Sequence, residues 1–183
     1  MGNRLSKIYT RTGDDGSTGL GSNTRVEKDH IRIESIGTVD ELNSVIGMIL
    51  AEEIPEEISN CLQQVQHHLF DLGGELCMPG NAIISADDVS YLENSLDNFN
   101  NDLPYLKEFI LPAGGRATSC CHLARTVCRR AERRLTSLNR DETINSFTLA
   151  YINRLSDLLF VIARVLARYE RGQEVLWQPK QKP

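Results

Sequence analysis

Four stretches of this chain space apolar residues alternately by four and three positions. That interval keeps one face of an α-helix turned toward a neighbouring helix. Ile58, Leu62, Val65, Leu69, Leu72 and Leu76 form one row, and Ala117, Cys121, Ala124, Cys128, Ala131, Leu135 and Leu138 another. Val89, Leu92, Leu96, Phe99 and Leu103 make a shorter third row, and Ile152, Leu155, Leu159, Ile162, Leu166 and Tyr169 the fourth. No stretch shows a convincing period-two alternation, so the pattern predicts an all-α fold.

Punctuation residues set the expected boundaries. Thr38 and Glu41 read as a T-x-x-E capping box opening a first helix that runs to about Glu53, with Val39, Leu42, Val45, Ile46, Ile49 and Leu50 on its apolar side. Pro55 suits the first turn of the second helix, which Pro79 and Gly80 end. Ser85 with Asp88 caps the third, and Pro104 stops it. In the fourth, five of the seven seam residues are small, so a neighbouring backbone can approach closely and this helix is expected at the centre. The fifth is predicted from about Glu142 to Arg171. Five helices with short connections imply a single five-helix bundle over residues 36–171, preceded by a Gly/Thr-rich loop (1–30) and followed by a tail (172–183).

Composition narrows the class. The 183 residues carry 20 Lys and Arg against 25 Asp and Glu, a formal charge of −5, which lacks the positive field of a general nucleic-acid binder. Five cysteines with no C-x-x-C spacing give neither a disulfide ladder nor a zinc site and fit a reducing compartment, so a cytoplasmic location is expected. No apolar stretch approaches the roughly 20 residues that span a bilayer. The chain start has no secretory apolar region, and the match of Gly2 and Ser6 to a myristoylation pattern is of the loose kind that arises by chance.

Four constellations stand out. Thr10-Arg11-Thr12-Gly13-Asp14-Asp15-Gly16-Ser17-Thr18-Gly19 combines three glycines with four hydroxyl residues and can wrap an anion, although it is neither a Walker loop nor an EF-hand. Arg125, Arg129 and Arg133 recur every four residues, with Arg130 and Arg134 one position on and Glu132 the sole acid among them. Such a face needs either a polyphosphate or acidic side chains from other helices, and periodicity does not choose between them. Asn153 and Asp157, continued by Phe160 and Arg164, place polar groups on a largely apolar helix; a cross-bundle hydrogen-bond network and a ligand contact both fit. Phe109-Ile110-Leu111-Pro112-Ala113-Gly114-Gly115 is an apolar run in a loop, suited to covering a large apolar ligand or to packing on the bundle. His67 and His68 have no carboxylate at ligand spacing, and Cys120 with Cys121 reads as seam packing before redox chemistry.

Taken together, Lys7-Ile8-Tyr9-Thr10-Arg11-Thr12-Gly13-Asp14, Gly37-Thr38-Val39-Asp40-Glu41-Leu42, Phe109-Ile110-Leu111-Pro112, Arg129-Arg130-Ala131-Glu132-Arg133 and Asn153-Arg154-Leu155-Ser156-Asp157 resemble the PduO-type ATP:cob(I)alamin adenosyltransferases from about Lys7 to Arg171. The resemblance implies a homotrimer with sites between subunits. It implies that Thr10, Arg11, Thr12, Gly13, Asp14, Gly16, Ser17, Thr18 and Gly19 wrap the ATP triphosphate with Mg²⁺, and that Lys28, Arg129, Arg130, Glu132, Arg133 and Asn153 add nucleotide contacts. Asp40 and Arg125 would meet across the subunit boundary, and Phe109 and Phe160 would lie beside the corrin.

The implied chemistry is attack of cob(I)alamin on the 5′ carbon of ATP with loss of triphosphate. Reduced cobalt is the nucleophile, which accounts for the lack of a Ser-His-Asp or Cys-His set. A reductase or a B12-dependent acceptor enzyme is the expected protein partner, with no nucleic acid and no membrane. Two other readings compete: a non-catalytic cobalamin carrier or nucleotide sensor on the same fold, and a helical protein using its arginine face for nucleic acid. The second leaves the Gly/Thr loop and Asp40 unexplained.

Overall fold

The structure, a computed structural model, describes residues 8–21 and 24–180; Lys7 of the first motif, the Gly2–Ser6 pattern and tail residues 181–183 lie outside the described residues. Five helices follow a small hairpin: β1 (Ser17–Gly19), β2 (Arg25–Glu27), α1 (Ile31–Leu50), α2 (Glu56–Cys77), α3 (Ala86–Asn101), α4 (Arg116–Asp141) and α5 (Ser146–Arg171). The fold is therefore mainly helical, not purely so. The two antiparallel strands pair Thr18 with Val26, and at three residues each they are too short to carry a period-two signal.

The central position expected of α4 is observed: α1 and α5 both pack along it. Its small seam residues explain the closeness. The Cys121 thiol donates to the Leu159 carbonyl at 3.2 Å and the Cys128 thiol to the Ile152 carbonyl at 3.3 Å, so α5 backbone lies directly against the α4 seam. Burial pushes both thiols well above their ordinary pKa, which keeps them protonated and suits packing, not redox chemistry. All seven residues of that seam are buried, as are the six of α2 from Ile58 to Leu76.

Several boundaries differ from expectation, among them the close of α1 at Leu50 instead of about Glu53 and the place of Pro55, which is the N-cap of α2 just ahead of its first turn. Helix α1 begins at Ile31, because His30 caps it by accepting from the Arg32 N–H at 3.2 Å. Thr38 is a buried residue within this helix: its hydroxyl donates to the Glu34 carbonyl at 2.7 Å, and Ser35 does the same to Ile31 at 2.8 Å. Helix α5 begins at Ser146 under an Asn145 cap, since Glu142 closes α4 and binds Arg32 at 2.6 Å. Helix α3 opens on the expected Ser85–Asp88 capping box but ends at Asn101, which leaves Leu103 outside it.

The hairpin is fastened to one end of this bundle. Gly21 N–H donates to the Cys77 carbonyl at 3.0 Å, and a Cβ on Gly21 would stand 2.7 Å from Met78 Cγ, so that approach requires glycine. Arg32 joins the same end together, reaching the Leu76 carbonyl at 2.7 Å and Glu142 at the close of α4.

Candidate functional site: an arginine cleft beside an aromatic pocket

The arginine face of α4 is answered partly by acids of its own chain. Arg130 pairs with Glu41, and Arg134 with Glu34 at 3.2 Å, both acids coming from α1. Arg129 pairs with Glu132 at 2.5 Å, and the other oxygen of Glu132 accepts from Asn153 Nδ2 at 2.8 Å, which links α4 to α5. Among the described residues Arg133 reaches only the Arg129 carbonyl, at 3.0 Å. For Arg130 and Arg134 the salt-bridged reading of the sequence therefore holds.

Arg125 and Arg129 differ. They line a cavity of 340 Å³ with Ser156, Asp157 and Phe160 of α5. Arg125 Nε is buried there with no hydrogen-bond partner among the described residues, an arrangement that costs free energy unless an anionic group arrives to accept from it. Nearby His122 is buried, and burial followed by the Arg125 charge pushes its pKa down to about 4. It is neutral near pH 7 and leaves the positive charge of the cleft to the arginines.

Phe160 also lines a second cavity, of 390 Å³, with Leu106, Lys107, Glu108, Phe109 and Ile110. The two cavities thus adjoin through one ring. Phe109 is 77% exposed and its ring stands edge-on to Trp177 at 6.1 Å between centroids, so the loop leaves an aromatic surface open instead of burying it in the bundle. One surface accordingly has a cationic half and an apolar half.

The N-terminal segment forms a closed turn. Lys28 Nζ donates to the Gly13 carbonyl at 2.6 Å, while Arg25 donates to the Thr12 carbonyl and to Ser17 Oγ, both at 2.6 Å. Thr10 and Thr12 share a hydroxyl hydrogen bond of 2.8 Å, and Asp15 Oδ1 accepts from the Ser17 N–H and hydroxyl at 2.9 Å. Gly16 takes φ 93° and Arg11 φ 60°, both positive, with the Arg11 guanidinium 5.5 Å from the Tyr9 ring centre. Asp14 is exposed; Thr18 and Gly19 belong to β1. Arg25, which sequence spacing did not single out, is the cation that ties this turn. No described bond joins the turn to the α4–α5 cleft within one chain.

Asp40 likewise lies apart. It is exposed on α1 and makes no described hydrogen bond or ion pair, so within one chain it does not meet Arg125. Among the described residues no three His, Cys, Asp or Glu side chains converge as a metal site, and no helix is long and apolar enough to cross a membrane.

A helical bundle with an arginine-lined cleft beside an aromatic pocket is an arrangement suited to binding a small molecule between helices. More particularly, the chain belongs to the cobalamin adenosyltransferase family, whose sequence model matches residues 8–166. It is 55% identical over 179 residues to a cobalamin adenosyltransferase of Cupriavidus metallidurans, covering 97% of each chain. It is 46% identical to the corrinoid adenosyltransferase of Bacillus subtilis, over 87% of this chain and 86% of that one. Among solved structures it superposes with TM-score 0.88 on a variant PduO-type ATP:corrinoid adenosyltransferase of Lactobacillus reuteri complexed with cobalamin and ATP, at 36% identity over 96% of this chain and 98% of that one.

Proposed function

We propose that this protein is a PduO-type ATP:cob(I)alamin adenosyltransferase. The cobalt of cob(I)alamin donates its electron pair to the 5′ carbon of ATP, the carbon–oxygen bond breaks, and triphosphate leaves with that bond's electrons. The observation that supports the reading is the adjoining pair of cavities, one lined by Arg125 and Arg129 and so suited to an anionic ligand, the other by Phe109 and Phe160 and so suited to an apolar one. The family relatives named above are transferases, and the Lactobacillus reuteri protein holds both substrates, which favours turnover over a carrier or sensor role.

Each residue type has a physical task in this reaction. Negative charge gathers on the leaving triphosphate as the bond breaks, so fixed cations stabilise the transition state more than the ground state. Arg129 and Arg133 supply such charge from α4, and Asn153 holds Glu132 so that Glu132 in turn orients Arg129. Arg130 reaches the nucleotide by leaving Glu41. The Thr10–Gly19 turn wraps the phosphates, with Lys28 exchanging the Gly13 carbonyl for a phosphate oxygen. Mg²⁺ would enter as a counter-ion bound through the ATP phosphates, as is usual for a nucleotide-bound magnesium.

The turn and the cleft, separate within one chain, come together when the turn of one subunit reaches the cleft of the next in a homotrimer. The same assembly gives Asp40 and Arg125 the partners they lack, each from a neighbouring subunit. Phe109 would cover the lower face of the corrin, excluding water and the axial ligand and making the preceding cob(II) state easier to reduce. A reductase must supply that electron and a B12-dependent enzyme take the product, in a cytoplasm whose reducing character suits five free thiols.

Mixing the protein with ATP, Mg²⁺ and chemically reduced cobalamin tests the whole reading. A light-sensitive adenosylated product is expected; binding of both ligands without that product would identify a carrier instead.

A further inference from the structure

The segment after α5 has no task in the reaction as described, yet it is tied down by an ion pair with both side chains buried. Gly172, at φ 77°, turns the chain back at the end of α5. Glu174 then accepts from Arg164 Nε at 3.0 Å and from Arg168 Nη1 at 2.6 Å, with only 5% of the Arg164 side chain and 8% of the Glu174 side chain exposed. Arg164 also donates to the Pro104 carbonyl at 2.6 Å, at the start of the loop that carries Phe109. Burial raises the Glu174 carboxyl, but its own backbone N–H and the two guanidiniums outweigh this and hold it below the usual carboxylate range.

From this anchor the next three residues run antiparallel to the aromatic loop. Leu111 N–H donates to the Val175 carbonyl and Trp177 N–H to the Phe109 carbonyl, both at 2.8 Å, while Ile110 and Leu176 form the bridge between them. Trp177 completes the arrangement edge-on to Phe109. The described backbone hydrogen bonds linking residues 109–111 to another part of the chain are thus made to this segment. A shift of one residue in that pairing would turn Phe109 to the opposite face. A buried ion pair adds little stability over apolar packing, and in some proteins its role is to select one arrangement among several.

We propose that Glu174 is a positioning residue for adenosyl transfer: clamped by Arg164 and Arg168, it fixes the register in which residues 175–177 hold residues 109–111, and so sets where the Phe109 ring stands at the corrin pocket. This rests on assigning the Phe109–Phe160 cavity to the corrin.

Trp177 is the chain's single tryptophan, so its emission reports this segment without interference. The test compares the full-length parent with Glu174→Ala and Glu174→Gln, following indole emission and acrylamide quenching, cob(II)alamin affinity by quenching of Trp177, and ATP affinity by calorimetry. In Glu174→Ala the emission shifts red and quenching by acrylamide rises, cob(II)alamin affinity falls about tenfold through lost preorganisation, and ATP affinity stays within about twofold. Glu174→Gln, which keeps a carbonyl acceptor for the arginines, recovers most of both losses. A freed indole with unchanged cob(II)alamin affinity would overturn the proposal, as would unchanged emission in Glu174→Ala. Equal loss of both ligands would also overturn it, since that marks general destabilisation. A parent that fails to bind cobalamin refutes the corrin assignment and the positioning role together. A parent that binds, beside a Glu174→Ala variant that binds equally well, refutes only the positioning role.

Discussion

Removing the Arg129 side chain separates what that residue does for the fold from what it does for ATP. Among the described residues its one ion pair is with Glu132, and its side chain is half-exposed, so the pair contributes at most about 1 kcal/mol. Glu132 keeps its hydrogen bond from Asn153 when Arg129 is gone, which leaves its carboxylate partly satisfied. Arg129→Ala should therefore lower the melting temperature by no more than about 2–4 °C for a chain of this size. The loss at the nucleotide is larger. A charge-assisted hydrogen bond to phosphate is worth roughly 1.5–3 kcal/mol, which corresponds to a fall in ATP affinity of between about tenfold and a hundredfold. Turnover at saturating ATP should fall as well, because triphosphate carries more charge in the transition state than in bound ATP. Arg129→Lys, which keeps the charge but not the planar fork, should recover part of the affinity. Calorimetric titration with ATP, beside turnover and thermal melts of the same preparations, reads all three quantities. ATP affinity within about twofold of the parent, in a variant that melts normally, would remove Arg129 from the nucleotide site.

Asp40→Asn should impair cobalamin binding and turnover more than ATP binding, and light scattering should find a trimer for the parent; a monomer at micromolar concentration would refute the shared site. Phe109→Ala should admit an axial ligand to bound cob(II)alamin and slow its reduction, while sparing adenosylation of cobalamin already reduced in solution. An unchanged four-coordinate signal by electron paramagnetic resonance with ATP bound would defeat that role. His122 has a folded pKa near 4 against an ordinary value of 6.5, so the unfolded chain binds the extra proton throughout that interval and stability is lost as pH falls from about 6.5 to 4. His122→Leu should flatten the pH dependence of the urea midpoint across the same window, and an unaltered slope would show that His122 is not its source.

Much of the bundle was legible because four-three spacing is a local property of each helix. The α4 seam from Ala117 to Leu138 and the Ser85–Asp88 box appear in the structure where spacing and capping placed them. Thr38 misled because a hydroxyl followed three residues later by Glu fits a cap, whereas within a helix the same hydroxyl satisfies itself on the preceding turn. The acids that answer Arg130 and Arg134 were invisible for a different reason: Glu41 and Glu34 lie on α1, and only packing brings them across. In the candidate site, Arg125, Arg129, Phe109 and Phe160 had drawn notice from their spacing and setting, but their gathering around adjoining cavities is tertiary information. Nor did any spacing single out Arg25 or the clamp on Glu174, both formed by chain reversals.

The way α4 and α5 press together has a consequence for the chemist who wants to label this protein. Cys61, Cys120, Cys121 and Cys128 are buried in the bundle, and only Cys77 is a partly exposed residue. Toward an alkylating dye under native conditions a chain of five cysteines should thus behave as though it had one. That one sits where the hairpin is moored, at the carbonyl held by Gly21. A fluorophore attached there would follow the coming and going of the N-terminal turn from its root, with no engineered site and no background from the other four.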